Sequence, residues 1–207
     1  MIRRPWLWTI FALTILAIPG AATLAANWRP HKTALPRYGR VPAFSLSDQD
    51  GQPFSSAEMA GKIWVVDFVF TSCSEVCPRL TAEMARLQTY LQNRGADGRV
   101  HLLSITVDPA RDTPARLKAY ATGFRADPKI WRFATGSSKQ IEDVVVLGFK
   151  TSISKEKDDA DNFTILHGTH FALVDGAGWI RGFYDANDAL AMERLRSHLQ
   201  LIAGGNS

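Results

Sequence analysis

Cys73 and Cys77 are the only cysteines of the chain, and they stand four positions apart in TSCSEVCPRL, residues 71–80. Two thiols this close can do three things. They can close and reopen a disulfide, they can hold a soft metal, or they can sit as inert structural groups. Two cysteines are too few for a disulfide scaffold and the right number for one site. A metal needs a further ligand, and the chain has five histidines: His31, His101, His167, His170 and His198. His31 falls in a proline-rich stretch and His198 in a C-terminal helical pattern. His101 lies in a strand-like run, where a structural role is the better reading. His167 and His170, in ILHGTHFALVD, remain as candidate ligands. Two thiolates and an imidazole form a soft set of low coordination number, which suits copper and Cu(I) in particular; zinc with a water is the other occupant of such a set.

The elements that must position these residues follow from pattern. FSLSDQDGQPFS, 44–55, reads as a hairpin turning at Asp50-Gly51. KIWVVDFVF, 62–70, is almost wholly apolar and reads as a central strand buried on both faces. After Pro78, Leu80, Met84, Leu87 and Leu91 recur at helical spacing up to Gly95. VHLLSITV, 100–107, is a second central strand. Asp112-Thr113-Pro114 opens a helix running to about Phe124, with a capping side chain before a proline at the first helical position. A short strand at 130–134 and a helix at 138–149 follow. KEKDDAD, 155–161, reads as a charged surface loop. Residues 169–175 and 179–184 form a hairpin around Gly176–Gly178, and a helix over 188–202 ends the domain. The order predicts a thioredoxin-like α/β sandwich with an N-terminal hairpin, and it places both cysteines where the first central strand meets its helix. A helix N-terminus lowers thiol pKa values, so this corner is the reactive one.

Two further segments have both a structural and a functional reading. In DPARDTP, 108–114, a turn and helix cap account for Asp112, Thr113 and Pro114, while Asp108 or Arg111 would face the site in the functional reading. Asp67 lies within the strand over 62–70, and a buried carboxylate there needs a partner. A satisfied structural role is the favoured reading, and tuning of a thiol is the alternative.

The chain has 207 residues, enough for one ordinary domain once the first 28 are set aside. Those 28 are of different character. Arg3 and Arg4 precede an apolar run from Trp6 to Ile18, followed by small residues; Trp6 to Leu24 is just long enough to span a bilayer. The pattern fits a signal anchor better than a signal peptide cut after Ala25, and either places the domain outside the cytoplasm. Residues 29–42 read as a tether and 43–205 as the domain. The net charge of +4 comes without any block of Lys and Arg interleaved with aromatics, which argues against nucleic-acid binding.

VVDFVFTSCSEVCP (65–78), SITVDPARDTP (104–114) and LHGTHFALVDGAGWIRGFYD (166–185) together resemble the Sco/SenC family of copper-binding cytochrome c oxidase assembly factors. The resemblance spans most of the domain and implies a thioredoxin-like fold. It also implies copper held by Cys73, Cys77 and a distal histidine. The family histidine stands six residues before a strand leucine and eleven before a hairpin glycine; His167 meets both, with Leu173 and Gly178. His170 does not, and is the lesser candidate. The implied role is a copper chaperone in a bacterial inner membrane, its domain facing the periplasm. It would serve the dinuclear copper site of oxidase subunit II, or reduce that site's cysteines as a thiol–disulfide reductase. An upstream copper donor and a thiol reductase are implied as further partners. Ordinary thioredoxin-type enzymes carry a cis-proline facing their cysteine pair. Here the last proline is Pro128, and the corresponding place is near His167-Gly168-Thr169, which favours metal over general disulfide exchange.

Overall fold

The computed structural model describes residues 35–95, 98–150, 154–157, 163–166 and 169–204 of the protein, with 154–157 and 163–166 given by backbone alone. The elements are β1 (Gly39–Arg40), β2 (Ser45–Asp48), β3 (Pro53–Ser55), a 3₁₀ turn (Ser56–Met59), β4 (Ile63–Val69), α1 (Val76–Asn93), β5 (Val100–Thr106), α2 (Pro114–Gly123), β6 (Trp131–Thr135), α3 (Ser138–Glu142) continuing as a π turn (Asp143–Gly148), β7 (Ser154–Lys157), β8 (Phe163–Leu166), β9 (His170–Val174), β10 (Trp179–Asp185) and α4 (Ala189–Gly204). Eight strands form one sheet in the order β1-β10-β9-β4-β5-β6-β2-β3, and β7 pairs with β8 separately.

β4, β5 and β6 run parallel at the centre. All seven residues of β4 are buried, as its nearly unbroken apolar run requires when helices cover both faces. Alternation along β4 then sorts its side chains. Val65 joins Leu80, Met84 and Leu87 of α1, Leu117 of α2 and Leu195 of α4 in one core layer. Val66 and Phe68 join Phe54, Met59, Val144, Val145 and Phe149 in the other. The arrangement is the α/β sandwich expected from the sequence.

Three local expectations differ. α1 starts at Val76, so Cys77 and Pro78 lie inside its first turn. A proline is tolerated there because first-turn N–H groups have no intrahelical acceptor. The helix expected over 138–149 holds α-geometry only to Glu142 and then widens into the π turn. Part of the charged stretch read as a surface loop is β7, whose backbone pairs antiparallel with β8, Ser154 opposite Leu166 and Lys157 opposite Phe163. The four residues of β7, Ser-Lys-Glu-Lys, carry no apolar alternation, so they gave no strand signal. No helix among the described residues is long and apolar enough to cross a membrane, and the first 28 residues lie outside them.

Candidate metal and redox centre

β4 ends at Val69, and the chain turns through Thr71 to Glu75 before α1 begins. The turn is held from three sides. Cys73 N–H donates to the Phe70 carbonyl at 3.2 Å, and Val107 N–H donates to the Val69 carbonyl at 2.9 Å. Asp112, fully buried, accepts from the Thr71 N–H at 3.0 Å, from the Thr71 hydroxyl, and from the Thr106 hydroxyl at 2.6 Å. A buried carboxylate is costly unless its lone pairs are met, and these donors meet them. Asp112 therefore fastens the cysteine turn to the β5–α2 loop.

This corrects the reading of Asp112 as a helix cap. Thr113 is the N-cap, its side chain accepting from Arg116 N–H, with Pro114 at the first helical position. One capping residue suffices, so the neighbouring Asp112 was the signal of a second task. Thr71 carried no such signal in the sequence. Asp108 and Arg111 lie in the same loop, their side chains 3.9 Å apart, and Asp108 N–H donates to the Thr106 hydroxyl at 3.0 Å.

The two thiols occupy unlike environments. Cys73 is half-buried, whereas Cys77 is fully buried in the first turn of α1. Cys77 alone of the buried apolar residues of α1 belongs to the core layer on the far face of the sheet, and Cys73 packs against that same layer. The pair thus sits at the end of β4, where the two layers meet. The Cys77 N–H donates to Cys73 Sγ at 3.3 Å. Burial raises the Cys73 pKa, but the N–H groups of Cys77, Glu75 and Val76 and the Cys77 thiol outweigh it, so the net shift is downward. Burial drives the Cys77 pKa strongly upward, and the nearby Cys73 and Asp67 charges add to the rise.

Asp67 lies within the same interior. Its Oδ1 accepts from the Ser104 hydroxyl at 2.5 Å, and that hydroxyl accepts from Trp131 Nε1 at 2.9 Å. Its Oδ2 has no hydrogen-bond partner among the described residues. Burial pushes the Asp67 pKa from 3.8 to about 7, against the lowering effect of the Ser104 hydrogen bond. Thr81, one turn beyond Cys77, donates to the Cys77 carbonyl at 2.8 Å and accepts from the Tyr120 hydroxyl at 2.8 Å. These two polar groups, invisible to pattern reading, tie α2 to the cysteine turn of α1.

The histidines divide as follows. His101 stacks on Trp64 at 4.8 Å and places Nε2 2.7 Å from the Gly98 carbonyl, a structural role. His198 places Nδ1 2.7 Å from the Tyr184 hydroxyl. His170 is exposed at the start of β9, opposite Asp185. Since Val66 lies opposite Ala172, β9 starts at the end of the sheet where the cysteine turn leaves β4. His167 and His31 lie outside the described residues. No cluster of three or more metal-ligating side chains occurs among the described residues.

Residues 34–201 match the SCO1/SenC family. The chain belongs to that family. It is 33% identical over 146 residues to the SCO1 protein homolog of Bacillus subtilis strain 168, covering 70% of this chain and 73% of that protein. Its fold superposes on the Bradyrhizobium japonicum ScoI structure with copper bound, with a TM-score of 0.65, 26% identity, and coverage of 77% of this chain and 99% of that one. BsSco, a Sco-family cytochrome c oxidase assembly protein in which a disulfide switch was identified, matches with a TM-score of 0.71 and 28% identity over 83% of this chain and 98% of that one. The thioredoxin-like α/β fold of the SCO1/SenC family is therefore the fold of this chain.

Proposed function

We propose that this SCO1/SenC protein is a membrane-tethered copper chaperone that binds copper through Cys73, Cys77 and His167. It would assist assembly of the dinuclear copper site of cytochrome c oxidase subunit II. The observation that carries the reading is the Cys73–Cys77 pair at the first turn of α1, with one sulfur already hydrogen-bonded by the backbone N–H of the other residue. The donor set fits the cargo. Thiolate suits Cu(I), and ScoI of Bradyrhizobium japonicum carries copper on this fold. His167 follows from the family motif, and β9, three residues beyond it, begins at the sheet end that bears the pair.

Loading requires both thiols as thiolates, so two protons leave as copper enters. Cys73 gives up its proton readily and Cys77 reluctantly. Cys77 is therefore the step that makes affinity fall as pH drops. The apolar run of residues 6–24 would be the anchor and residues 29–42 the tether, holding the domain on the periplasmic side of a bacterial inner membrane. An upstream copper donor and a thiol reductase would be needed, because an oxidising compartment tends to close the pair.

A second reading is favoured by the same asymmetry. An acidified, half-exposed Cys73 beside a buried Cys77 suits a thiol–disulfide reductase of the client's cysteines. Cys73 thiolate would attack a client disulfide, and Cys77 would then displace the client thiol as its own disulfide with Cys73 forms. Copper titration of the reduced chain separates the two. One copper per chain, greatly weakened in His167→Ala and in Cys73→Ser, is the expected result. Binding that is weak in the parent, or unchanged in His167→Ala, would leave the reductase reading.

A further inference from the structure

The β1 edge of the sheet carries a surface of a different kind. The exposed large hydrophobic residues include Tyr38, Leu147 and Phe183, with Leu147 71% exposed. These three share the β1 edge. Tyr38 and Phe183 form an edge-on ring pair at 5.9 Å. The π turn bearing Leu147 packs on the segment following β1, so tightly that a Cβ added at Gly148 would lie 2.7 Å from Pro42 Cδ. Arg37 and Arg40 both lie over the Trp179 ring, at 5.0 and 6.0 Å from its centroid, and both are exposed. Exposed Lys150 stands beside Gly39. Residues 35–42, 147–150 and 176–184 contain no acid at all. Among the described residues, Arg181 is the one cation of these segments with an acidic partner, Asp175 at 2.7 Å.

Exposed cations interleaved with Trp, Tyr, Phe and Leu are the composition that lies in a bilayer interface: aromatic rings at headgroup depth, an aliphatic side chain deeper, and arginines on the phosphates. We propose that the edge formed by Arg37, Tyr38, Arg40, Leu147, Trp179 and Phe183 docks on an anionic lipid surface. The proposal deepens the tether part of the reading above and rests on it, because the apolar run that would anchor the chain lies just upstream of Leu35 in sequence. Trp179 is level with the start of β4, through Arg40 opposite Trp179 and the β10–β9–β4 register. The cysteine turn leaves the other end of β4, roughly 20 Å along a seven-residue strand. Phe183, opposite Ala172, is level with Val66 midway along β4, so the patch runs along the β1 side of the sheet and the cysteine turn lies past it, at the end of β4.

The test uses the domain from residue 29 onward, which holds every described residue of the two core layers. It is mixed at low ionic strength with vesicles of phosphatidylglycerol or of phosphatidylcholine and sedimented. Binding to the first and not the second is expected. Arg37→Glu with Arg40→Glu should weaken it about tenfold or more, and Leu147→Ser should weaken it with the charges intact. Arg86→Glu, at an exposed α1 position away from the edge, should leave it unchanged. Circular dichroism of each variant confirms the fold. No binding to phosphatidylglycerol, or equal loss in Arg86→Glu, overturns the proposal. An alkaline carbonate wash of membranes carrying the full chain tests the tether separately. A chain that resists the wash while its domain ignores lipid sinks the docking surface alone; a chain released by the wash sinks the tether, and vesicle binding by the domain would still stand.

Discussion

The backbone N–H of Cys77 points at the sulfur of Cys73 across 3.3 Å, so the more buried cysteine stabilises the anion of the more exposed one. The two thiols meet at one helix N-terminus, Cys73 in the turn before it and Cys77 in its first turn, yet are driven in opposite directions. Helix-terminal N–H groups favour the charged form of Cys73, and burial disfavours that of Cys77.

Alkylation should register this asymmetry. Iodoacetamide is expected to modify Cys73 in the native, reduced chain at a pH below that needed for an ordinary thiol, and to spare Cys77 until the chain is unfolded. Mass spectrometry of partially alkylated protein over a pH series checks the order. Modification of Cys77 first would contradict the burial-based assignment.

Asp112 and Thr113 are adjacent but should respond very differently to mutation. Thr113→Ala removes one helix cap and is expected to cost about 1 kcal/mol. Asp112→Ala leaves the buried donors of Thr71 and Thr106 unmet and should cost about 3 kcal/mol or more. Urea unfolding of the two variants measures the difference. Similar losses would mean that Asp112 does no more than the cap beside it.

Asp67 gives stability a pH dependence opposite to that of a surface carboxylate. Its pKa is about 7 in the folded chain against 3.8 when unfolded, so the folded state holds the proton more tightly. Its contribution is most favourable below about 3.8, falls as pH rises through the interval, and is fully lost above 7. The span is on the order of 4 kcal/mol. Asp67→Asn, which cannot ionise, should be more stable than the parent near pH 8, and its advantage should vanish near pH 4. A constant difference between the two proteins across that range would show that Asp67 does not titrate within it.

Copper loading should follow the thiols. Because Cys77 gives up its proton reluctantly, apparent Cu(I) affinity is expected to fall steadily as pH is lowered from neutrality, and in the parent the fall should be steeper than in Cys77→Ser. A competition titration against a Cu(I) chelator of known proton affinity measures both slopes. Equal slopes would remove Cys77 from the ligand set.

Much of this molecule is decided locally and was legible as such. The apolar run at 62–70 could only be a strand covered on both faces. Asp112-Thr113-Pro114 marked a helix start, though not which residue caps it, and two cysteines between that strand and the following helix marked a strand-to-helix corner. Side-chain periodicity and capping are properties of neighbouring residues, so they survive in a one-dimensional pattern. The contacts that give the site its chemistry are of the other kind. Asp112 reaches Thr71 across 41 positions, Ser104 reaches Asp67 across 37, and Thr81 reaches Tyr120 across 39. Each depends on β4 and β5 lying in parallel register with helices on one face, a relation no local window contains. The unlike acidities of Cys73 and Cys77 come from the same source: one sulfur stops at the rim of the sheet and the other is carried beneath it, and only the packing of two core layers around the end of β4 decides which.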